Sequence, residues 1–336
     1  MRGSLRRMFR PGLGALLAGL AVIALGRSGN SMAAADQGCP EVIEKVVANS
    51  RLTSSRFYYL SQLEPYIGRD YRNLPCFLQA VGGTALSNAT LVIDRDITLA
   101  EPLVLPARFT LAGTGIEGEG KLRFIGLPRG VSAIQFAPGA SHSTIRDLSV
   151  SGPGAGGHIG IDVSGASIIF IRDVRINGFY AGIYGARPGL SALSIYIERC
   201  NIHNNDYNVL MHRDAFHWRI RDCILNQATA WGVRVYGPDD DPAPPTPGQN
   251  LGSGNDHLIA GSRIEGCGEG GIMLGSHAAM LMNNRFEQNG GVGGTGILIL
   301  PTAGSTRLMS NMLYSNNLVD DSAAQDTESW GTITGG

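Results

Sequence analysis

The sequence predicts an all-β fold, a parallel β-helix with a short helical or irregular cap at its N-terminal end. Three observations predict it. A hexad phrase recurs along the chain, as in IRDVRI, IERCNI and IRDCIL. A second phrase of alternating residues accompanies each hexad, as expected for a short strand. The composition, with 47 glycines, 43% hydrophobic and 16% charged residues, is typical of a chain rich in strands and tight turns.

The hexads define the period of the repeat. They follow one another at intervals of 22 to 27 residues, with one interval of 39, and begin at Ile145, Ile171, Ile197, Ile220, Ile259, Leu281 and Leu308. The long interval contains "YGPDDDPAPPTPGQNLGSGND", residues 236–256. This stretch is rich in Pro, Gly and Asp and cannot continue a strand. We therefore expect one insertion loop in an otherwise regular array.

The second phrase adds a further strand to each repeat. It reads GIDV from Gly160, GIY from Gly182, NVLM from Asn208, GVRV from Gly232, GIML from Gly271 and GILI from Gly296. Each period then holds three short strands and no helix, and the leucine consensus of leucine-rich repeats is missing. A coil with three strands per turn stacks each strand about 4.8 Å from its equivalent one turn later. The polar hexad positions then line one turn: Asp147, Asp173, Asp222, Asn283 and Ser310.

Residues 1–35 are expected to be an export signal. A positive segment precedes an apolar run of 12 residues at 15–26, and three alanines at 33–35 offer a cleavage site. Such a run is too short to span a bilayer comfortably, which favours cleavage over a membrane anchor. The arginine pair Arg6-Arg7 resembles a twin-arginine signal, although the export route stays open. The expected location is the periplasm or the medium.

The presence or absence of the two repeat phrases divides the rest of the chain into segments. Residues 36–83 have helix-like spacing and are expected to form the N-terminal cap, and 84–320 form the β-helix with its insertion loop at 236–256. Residues 321–336 lack strand phrases and are expected to be a C-terminal tail, in which Trp330 can cover the last coil. Five cysteines leave at least one unpaired, and Cys39 and Cys76 can pair in an oxidising compartment.

The repeats resemble a known group of proteins. The G-I-x-V strands and I-x-[DN]-[CN]-x-I corners resemble those of right-handed parallel β-helix proteins of the pectin-lyase-like superfamily, and "ATLVIDRDITLAEPLVLPARFTLAGTG" resembles their first coils. The resemblance covers 84–320 and implies a single-stranded right-handed solenoid. It also implies that Cys200 and Cys223 stack inside adjacent coils. We favour this over a disulfide because stacked side chains point the same way.

The resemblance further implies that a polysaccharide binds along the stacked first strand. In G-I-x-V the apolar residues face the core, so x faces solvent. The exposed row is then Gln135, Asp162, Tyr184, Leu210, Arg234, Met273 and Leu298. Polar and aromatic turn residues flank its middle: Arg187, His203, Asp206, Tyr207, His212, Arg213, Asp214 and Tyr236. Aromatic faces pack on sugar rings, and arginines pair with uronate carboxylates.

These residues suggest a lyase or epimerase that acts on an acidic polysaccharide. Such an enzyme needs a cation beside the carboxylate and a base for the adjacent proton. We expect Arg234 or Arg213 to supply the cation, and His212, Tyr184 or a second arginine to act as the base. Substrate binding is expected from Asp162, Arg187, His203, Asp206, Tyr207 and Tyr236.

A non-catalytic protein is the alternative, because every solenoid exposes polar side chains on its outer faces. It would bind glycan as an adhesin or take part in envelope assembly. The signature sets of polygalacturonases, pectate lyases and alginate epimerases are not found. Their absence counts against a glycosidase more than against a lyase, because hydrolysis needs a positioned pair of carboxylates. The sequence leaves open whether the protein is an enzyme.

A calcium site is a further possibility. Asp239, Asp240 and Asp241 form an acidic triplet in the Pro-rich loop, for which a solvated loop is the favoured interpretation and calcium binding together with Asp256 the alternative. No other cofactor is indicated. The net charge of −1 does not suggest a nucleic-acid partner, and we expect no membrane insertion after signal cleavage.

Overall fold

The computed structural model describes most of the chain from residue 56 onward, together with Glu41 and Glu44. The described ranges are 56–69, 71, 73–83, 88–115, 120–154, 156–187, 189–237, 255–291, 294–314, 318–320 and 327–334. The predicted export signal, Cys39 and the predicted calcium ligands Asp239, Asp240 and Asp241 lie outside these ranges.

The N-terminal cap contains strand β1 (Phe57–Tyr59), helix α1 (Leu60–Ile67) and helix α2 (Leu74–Gly83). The apolar residues of α1 are spaced so that they fall on one face, and Leu60, Leu63 and Ile67 are buried. Gly68 follows the helix with a φ of 81°, a conformation that glycine adopts at little cost. The predicted helical cap is confirmed.

Polar contacts fasten this cap to the first coil. The backbone N–H of Ser61 donates to Oδ1 of Asp94 over 2.9 Å, and the Ser61 hydroxyl donates to Oδ2 of the same carboxylate. Arg95 forms an ion pair with Glu64, which also accepts a hydrogen bond of 2.8 Å from the Tyr71 hydroxyl. The cap therefore covers the apolar end of the solenoid through specific contacts as well as apolar packing.

The remaining strands are short and follow one another along the solenoid. They are β2 (Thr90–Val92), β3 (Ile97–Leu99), β4 (Leu103–Leu105), β5 (Thr110–Ala112), β6 (Lys121–Phe124), β7 (Ser132–Phe136), β8 (Ser141–Ser151), β9 (Ile159–Asp162), β10 (Ser167–Asn177), β11 (Ala181–Gly185), β12 (Ala192–Glu198), β13 (Asn201–His203), β14 (Tyr207–Met211), β15 (Ala215–Phe216), β16 (Arg219–Arg221), β17 (Ile224–Asn226), β18 (Trp231–Val235), β19 (Leu258–Ala260), β20 (Arg263–Glu265), β21 (Gly270–Leu274), β22 (Met280–Met282), β23 (Arg285–Glu287), β24 (Thr295–Ile299), β25 (Arg307–Met309), β26 (Met312–Tyr314), β27 (Leu318–Asp320), β28 (Glu328–Trp330) and β29 (Ile333–Thr334).

These strands form the three faces of a parallel β-helix. One face is a nine-stranded sheet of β4, β7, β9, β11, β14, β18, β21, β24 and β27. The other two faces are ladders of a 20-stranded sheet. One ladder continues from β12 to β16, β19 and β22, and the other from β13 to β17, β20 and β23. The 11-residue strands β8 and β10 run around the corner and belong to both ladders.

The hexads lie in register along the solenoid, as predicted. Ile145 pairs with Ile171, Ile171 with Ile197, and each later hexad start pairs with the next as far as Leu308. The pairing of Ile220 with Ile259 continues the ladder across the longest interval. The 39-residue repeat is therefore one coil with an insertion.

The polar hexad positions form the corner between the two ladders. Asp147, Asp173, Asp222, Asn283 and Ser310 all have φ between 51° and 55°. This left-handed conformation is tolerated best by Gly, Asn and Asp, which explains the residue types that recur there. The following residue points inward and is buried in each coil, as at Cys200 and Cys223.

The interior is a stack of apolar side chains that includes a few polar ones. Cys200 and Cys223 are free thiols on adjacent coils, as predicted, and the Cys200 N–H donates to the Cys223 sulfur over 3.4 Å. Cys76 in the cap is disulfide-bonded. Trp218 is fully buried, and its Nε1 donates to the carbonyl of Ala192 over 3.3 Å.

The C-terminal segment differs from the expectation. The predicted tail at 321–336 contains β28 and β29, which pair with β25 and β26 and so extend the ladders. Trp330 pairs with Met309 on the outside of its ladder and is 53% exposed, so it does not cover the last coil. These strands were missed because their sequence lacks the G-I-x-V and hexad phrases. Among the residues that the structure describes, no helix has the length and apolar character needed to cross a membrane.

Candidate functional site

The predicted outward row exists on the nine-stranded sheet. Gln135 pairs with Asp162, Asp162 with Tyr184, and Tyr184 with Leu210. Leu210 then pairs with Arg234, and the row continues through Met273 to Leu298. We call this surface, with the turn residues that flank it, the outer face.

The row is less exposed than its alternation implies. Asp162, Leu210 and Met273 are buried, although they point away from the core. Neighbouring side chains fold over them. Leu210, for example, is covered by a cluster that includes Tyr180, Tyr184, Tyr207 and Tyr236. The expectation that every x position faces solvent is therefore wrong. The outer face has a layer of side chains packed on top of the sheet.

An aromatic and basic cluster occupies the middle of the outer face. The Tyr184 hydroxyl lies 2.8 Å from Nε2 of His212, on the next coil. The His212 ring stacks on Tyr236 with centroids 4.9 Å apart and planes 25° apart. The Arg234 guanidinium lies 4.2 Å from the centroid of Tyr236 on the other side of the cluster. Four of the predicted site residues thus form one continuous group.

An ion pair between the partly exposed Arg187 and the buried Asp162 adjoins this cluster. Nε of Arg187 donates to Oδ2 of Asp162 over 2.6 Å, and Nη2 donates to the Ser132 hydroxyl over 2.8 Å. The Arg187 backbone N–H also donates to the Ser164 hydroxyl over 2.9 Å. Asp162 is only 4% exposed, and it accepts further bonds from the Ser132 hydroxyl and the Ser164 N–H. The network holds Arg187 with its guanidinium 5.9 Å from the Tyr184 ring centroid.

A tyrosine pair lies at the opposite edge of the outer face. The rings of Tyr180 and Tyr207 meet edge to face with centroids 5.4 Å apart. Burial raises the pKa of both hydroxyls; the Asp206 charge raises both pKa values further, and Arg234 opposes the shift. Asp206 is held by the Thr229 hydroxyl, which donates to its carboxylate over 2.6 Å. Both tyrosines therefore stay neutral hydrogen-bonding groups at neutral pH.

The C-terminal end of the outer face is apolar. Trp231 and Met273 are buried together with Ala230, and Leu298 and Leu300 pack against them. Tyr207 contacts this cluster as well as the one over Leu210. A continuous aromatic and apolar strip therefore runs from the tyrosine cluster toward the last coils.

Two predicted site residues, His203 and Arg213, are not available on the outer face. His203 ends β13 on the adjacent ladder, where it pairs with Asn226. Its pKa is lowered by burial and then by the positive charge of Arg175, and no contact with the outer face is recorded for its ring among the described residues. Arg213 is only 5% exposed, so little of its side chain is available to a polymer.

Several residues of the outer face were not singled out from the sequence. Tyr180, Ser132, Thr229, Trp231 and Glu269 lie in turns or at strand starts, outside the x position of the phrase. A signal existed for three of them, since Tyr180 directly precedes β11, Ser132 opens β7 and Trp231 opens β18. For Thr229 and Glu269 the sequence offers none, because their contacts depend on how turns of unequal length fold back.

The structure does not reveal a metal site among the described residues. No cluster of three or more His, Cys, Asp or Glu side chains in that part of the chain is arranged to hold an ion. The predicted triplet Asp239 to Asp241 falls in the undescribed insertion, and Asp256 is paired with Arg219 at 2.6 Å.

The fold and repeats assign the chain to a family. The family model described as "Right handed beta helix region" matches residues 132–332, so the chain belongs to the right-handed β-helix proteins. This confirms the resemblance and the right-handedness that it implies. The sequence matches no curated protein.

Solved structures share the fold at low sequence identity. The Dettilon tailspike protein has a TM-score of 0.53 and 11% identity, over 84% of this chain and 70% of that one. DFA-IIIase from Arthrobacter chlorophenolicus A6, solved in complex with GF2, has a TM-score of 0.53 and 11% identity, over 77% of this chain and 79% of that one. The enzymatically active domain of bacteriophage CBA120 tailspike protein 2 has a TM-score of 0.51 and 12% identity, and the chain spans 47% of its length. At these identities the likeness establishes the fold alone.

Proposed function

We propose that the protein is an exported carbohydrate-active protein that binds an acidic polysaccharide along the outer face and removes a proton from a bound uronate. The observation that carries the proposal is the 2.8 Å contact between the Tyr184 hydroxyl and Nε2 of His212. It places a proton donor and a base in hydrogen-bond contact at the centre of the aromatic surface. The reaction is β-elimination or epimerisation.

The surroundings suit a sugar polymer. The partly buried rings of Tyr180, Tyr184 and Tyr207 offer aromatic faces on successive coils, and pyranose rings pack on such faces. The guanidinium groups of Arg187 and Arg234 flank the Tyr184 and His212 pair. Two solved structures with this fold support an enzyme, since one is described as an enzymatically active domain and the other as DFA-IIIase in complex with GF2.

The chemistry follows from the positions of the two residues. When the His212 proton is on Nδ1, Nε2 accepts a hydrogen bond from Tyr184 and can take its proton. The phenolate then removes the C5 proton of the uronate, and an arginine stabilises the negative charge that develops on the carboxylate. In elimination the C4–O4 bond breaks, a C4–C5 double bond forms and the leaving oxygen takes the proton that His212 accepted. In epimerisation a proton from water returns to C5 on the opposite face, and His212 releases its proton to solvent.

A non-catalytic glycan-binding role is the second candidate. The observation that favours it is the breadth of the aromatic and apolar strip, which extends well beyond the Tyr184 and His212 pair. An adhesive or envelope-assembly protein would use this strip to hold a polymer without turnover.

One assay separates the two. The purified protein is incubated with polygalacturonate, alginate and glycosaminoglycans, with and without calcium because the Asp239 to Asp241 triplet remains a predicted site. Absorbance near 235 nm reports the unsaturated uronate, and incorporation of deuterium at C5 from deuterated water reports epimerisation. We expect a signal with one polymer that is lost in Tyr184→Phe.

Tyr196→Phe is the matched control. Tyr196 stacks on Phe170 on a different face, with centroids 4.8 Å apart, and should leave activity unchanged when its hydroxyl is removed. Binding of a polymer without elimination or exchange would establish the non-catalytic role. A Tyr184→Phe protein as active as the wild type would exclude the proposed chemistry.

The remaining proposal concerns the location of the protein and its export route. The N-terminal segment suits export to the periplasm or the medium, with a twin-arginine route possible on its sequence. Fractionation of expressing cells, with the N-terminus of the mature protein sequenced, tests both. Cleavage after the alanines at 33–35 is the expected result.

A further inference from the structure

We infer that Arg187 binds the carboxylate of the uronate that is placed beside Tyr184, and that Asp162 is its positioning residue. The inference rests on the proposed function and specifies how an acidic sugar is distinguished from a neutral one. Arg187 takes this role in place of Arg234 and Arg213, the two arginines expected from the sequence to lie beside the carboxylate.

The Asp162 network leaves one edge of the Arg187 guanidinium available. An arginine side chain has five N–H donors. Nε and one N–H of Nη2 are used by Asp162 and Ser132. The two N–H groups of Nη1 and the second of Nη2 have no partner among the residues that the structure describes. The Arg187 side chain is 38% exposed, so a ligand can reach this edge.

The fixed geometry favours a planar anion. Ser132, Asp162 and Arg187 come from three successive coils, and the hydrogen bonds between them hold the guanidinium plane in place. A held guanidinium binds a carboxylate through two parallel hydrogen bonds with little loss of side-chain freedom. Asp162 also balances most of the Arg187 charge, so the site selects by hydrogen-bond geometry more than by net charge.

The position agrees with the chemistry. The Arg187 guanidinium lies 5.9 Å from the Tyr184 ring centroid. A carboxylate that binds this guanidinium is therefore placed next to the Tyr184 side chain, as removal of the adjacent C5 proton requires. Arg234 instead lies over Tyr236, and its charge acts on Tyr180 and Tyr207 at the other edge of the face. Arg213 is buried.

The test uses the polymer that the protein binds among polygalacturonate, alginate and the glycosaminoglycans. It compares this polymer with its carboxyl-reduced form, in which each carboxylate has become a neutral hydroxymethyl group. Binding to both is measured by calorimetry for the wild type and for Arg187→Gln and Arg187→Lys. We expect Arg187→Gln to weaken binding of the acidic polymer by about tenfold or more and to leave the reduced polymer unchanged. Arg187→Lys keeps the positive charge but lacks the two parallel N–H donors of the guanidinium, so it should recover only part of the affinity.

Arg172→Gln is the matched control. Arg172 is exposed to 40%, pairs with Glu198 at 2.9 Å and lies 4.7 Å from the Phe170 ring centroid, on another face of the solenoid. It should bind both polymers like the wild type. Thermal unfolding of each variant, together with binding of the reduced polymer, shows whether the outer face is intact. If Arg187→Gln does not fold, the Arg187→Lys comparison decides.

The outcomes separate this inference from the proposed function. Equal losses with both polymers, or no loss with the acidic one, would overturn the role of Arg187. Turnover that depends on Tyr184 but not on Arg187 would leave the proposed function standing and remove this inference. Binding of the acidic polymer that depends on Arg187 without any turnover would keep the inference and exclude the catalytic proposal.

Discussion

The Tyr184 hydroxyl and Nε2 of His212 are 2.8 Å apart, although 28 residues separate them in the sequence. Tyr184 pairs with Leu210 in the nine-stranded sheet, so His212 lies just beyond that strand on the next coil. The contact is created by the stacking of the coils. Every proposal about catalysis depends on it.

Replacing His212 tests its role as the base that acts on Tyr184. Glutamine can still accept a hydrogen bond from the hydroxyl but cannot take its proton. We expect His212→Gln to lower kcat by about a hundredfold or more, with KM changed by less than about threefold. The control is His217→Gln, at an exposed corner outside the outer face. A raised KM with normal kcat would assign His212 to binding.

The asparagine ladder in the interior makes a prediction about stability. Oδ1 of Asn311 accepts hydrogen bonds from the backbone N–H of Asn284 over 3.1 Å and from its Nδ2 over 3.0 Å, and Asn311 Nδ2 donates to the carbonyl of Leu281 over 2.9 Å. Asn311→Ala removes the acceptor of the buried Asn284 N–H and the side-chain donor to the Leu281 carbonyl, while Asn284 Nδ2 keeps its bond to the carbonyl of Ile259. We expect a loss of about 2–4 kcal/mol in the free energy of unfolding, measured by denaturant titration.

Asn201→Ala on the outside of β13 is the comparison for this variant, and it should cost less than about 1 kcal/mol. Similar small losses in both variants would show that water replaces the Asn311 side chain, and that the ladder contributes little.

The close approach of Gly185 and Trp218 gives a second stability prediction. A Cβ on Gly185 would lie 2.2 Å from Cζ2 of the buried indole. The indole is enclosed on all sides, so the coil must shift. Gly185→Ala should cost about 1–3 kcal/mol or more, measured as a lowered unfolding midpoint in denaturant. Gly156→Ala, where the nearest contact of a Cβ is an ordinary 3.5 Å, should be neutral. A neutral Gly185→Ala would mean that the indole has room to move.

Buried His257 predicts acid sensitivity. Burial lowers its pKa from 6.5 to about 3, with Arg219 adding to the shift, and neither ring nitrogen has a hydrogen-bond partner within the described parts of the chain. Below pH 6.5 the unfolded chain binds a proton at this residue while the folded chain does not. The stability that His257 contributes is therefore complete above pH 6.5 and decreases as the pH falls toward 3, by about 1.4 kcal/mol per pH unit.

His257→Leu isolates this effect. We expect the variant to lose less stability than the wild type between pH 6.5 and 4.5, by roughly 2 kcal/mol, in denaturant titrations at each pH. Parallel curves for the two proteins would show that His257 is already protonated or hydrated in the fold.

Much of the fold was predictable because its rules are local. Alternation along each short strand placed Ile183 inside and Tyr184 outside, and the recurring polar residue of the hexad placed Asp173 at a turn. The cap was predictable from helix-like spacing in α1 and α2. The strands β28 and β29 were not, because pairing with β25 and β26 imposes an extended conformation on a sequence without strand phrases.

The candidate site was predictable only as a set of residue types on one face. Tyr184, His212, Tyr236 and Arg234 do meet, but His203 lies on a different ladder and Arg213 is buried. The turns that carry these residues differ in length from coil to coil. The repeat period therefore does not determine on which face these side chains lie or whether they are exposed.

The sequence by itself determined the solenoid, the register of its coils and the row of outward positions, because period-two alternation and a repeated corner need only neighbouring residues. The tertiary structure alone decided that Asp162 is buried under Arg187, that Ser132 and Arg187 meet across 55 residues, and that Tyr184 contacts His212. These contacts join different coils, and their geometry depends on how the side chains of each turn pack over the sheet below.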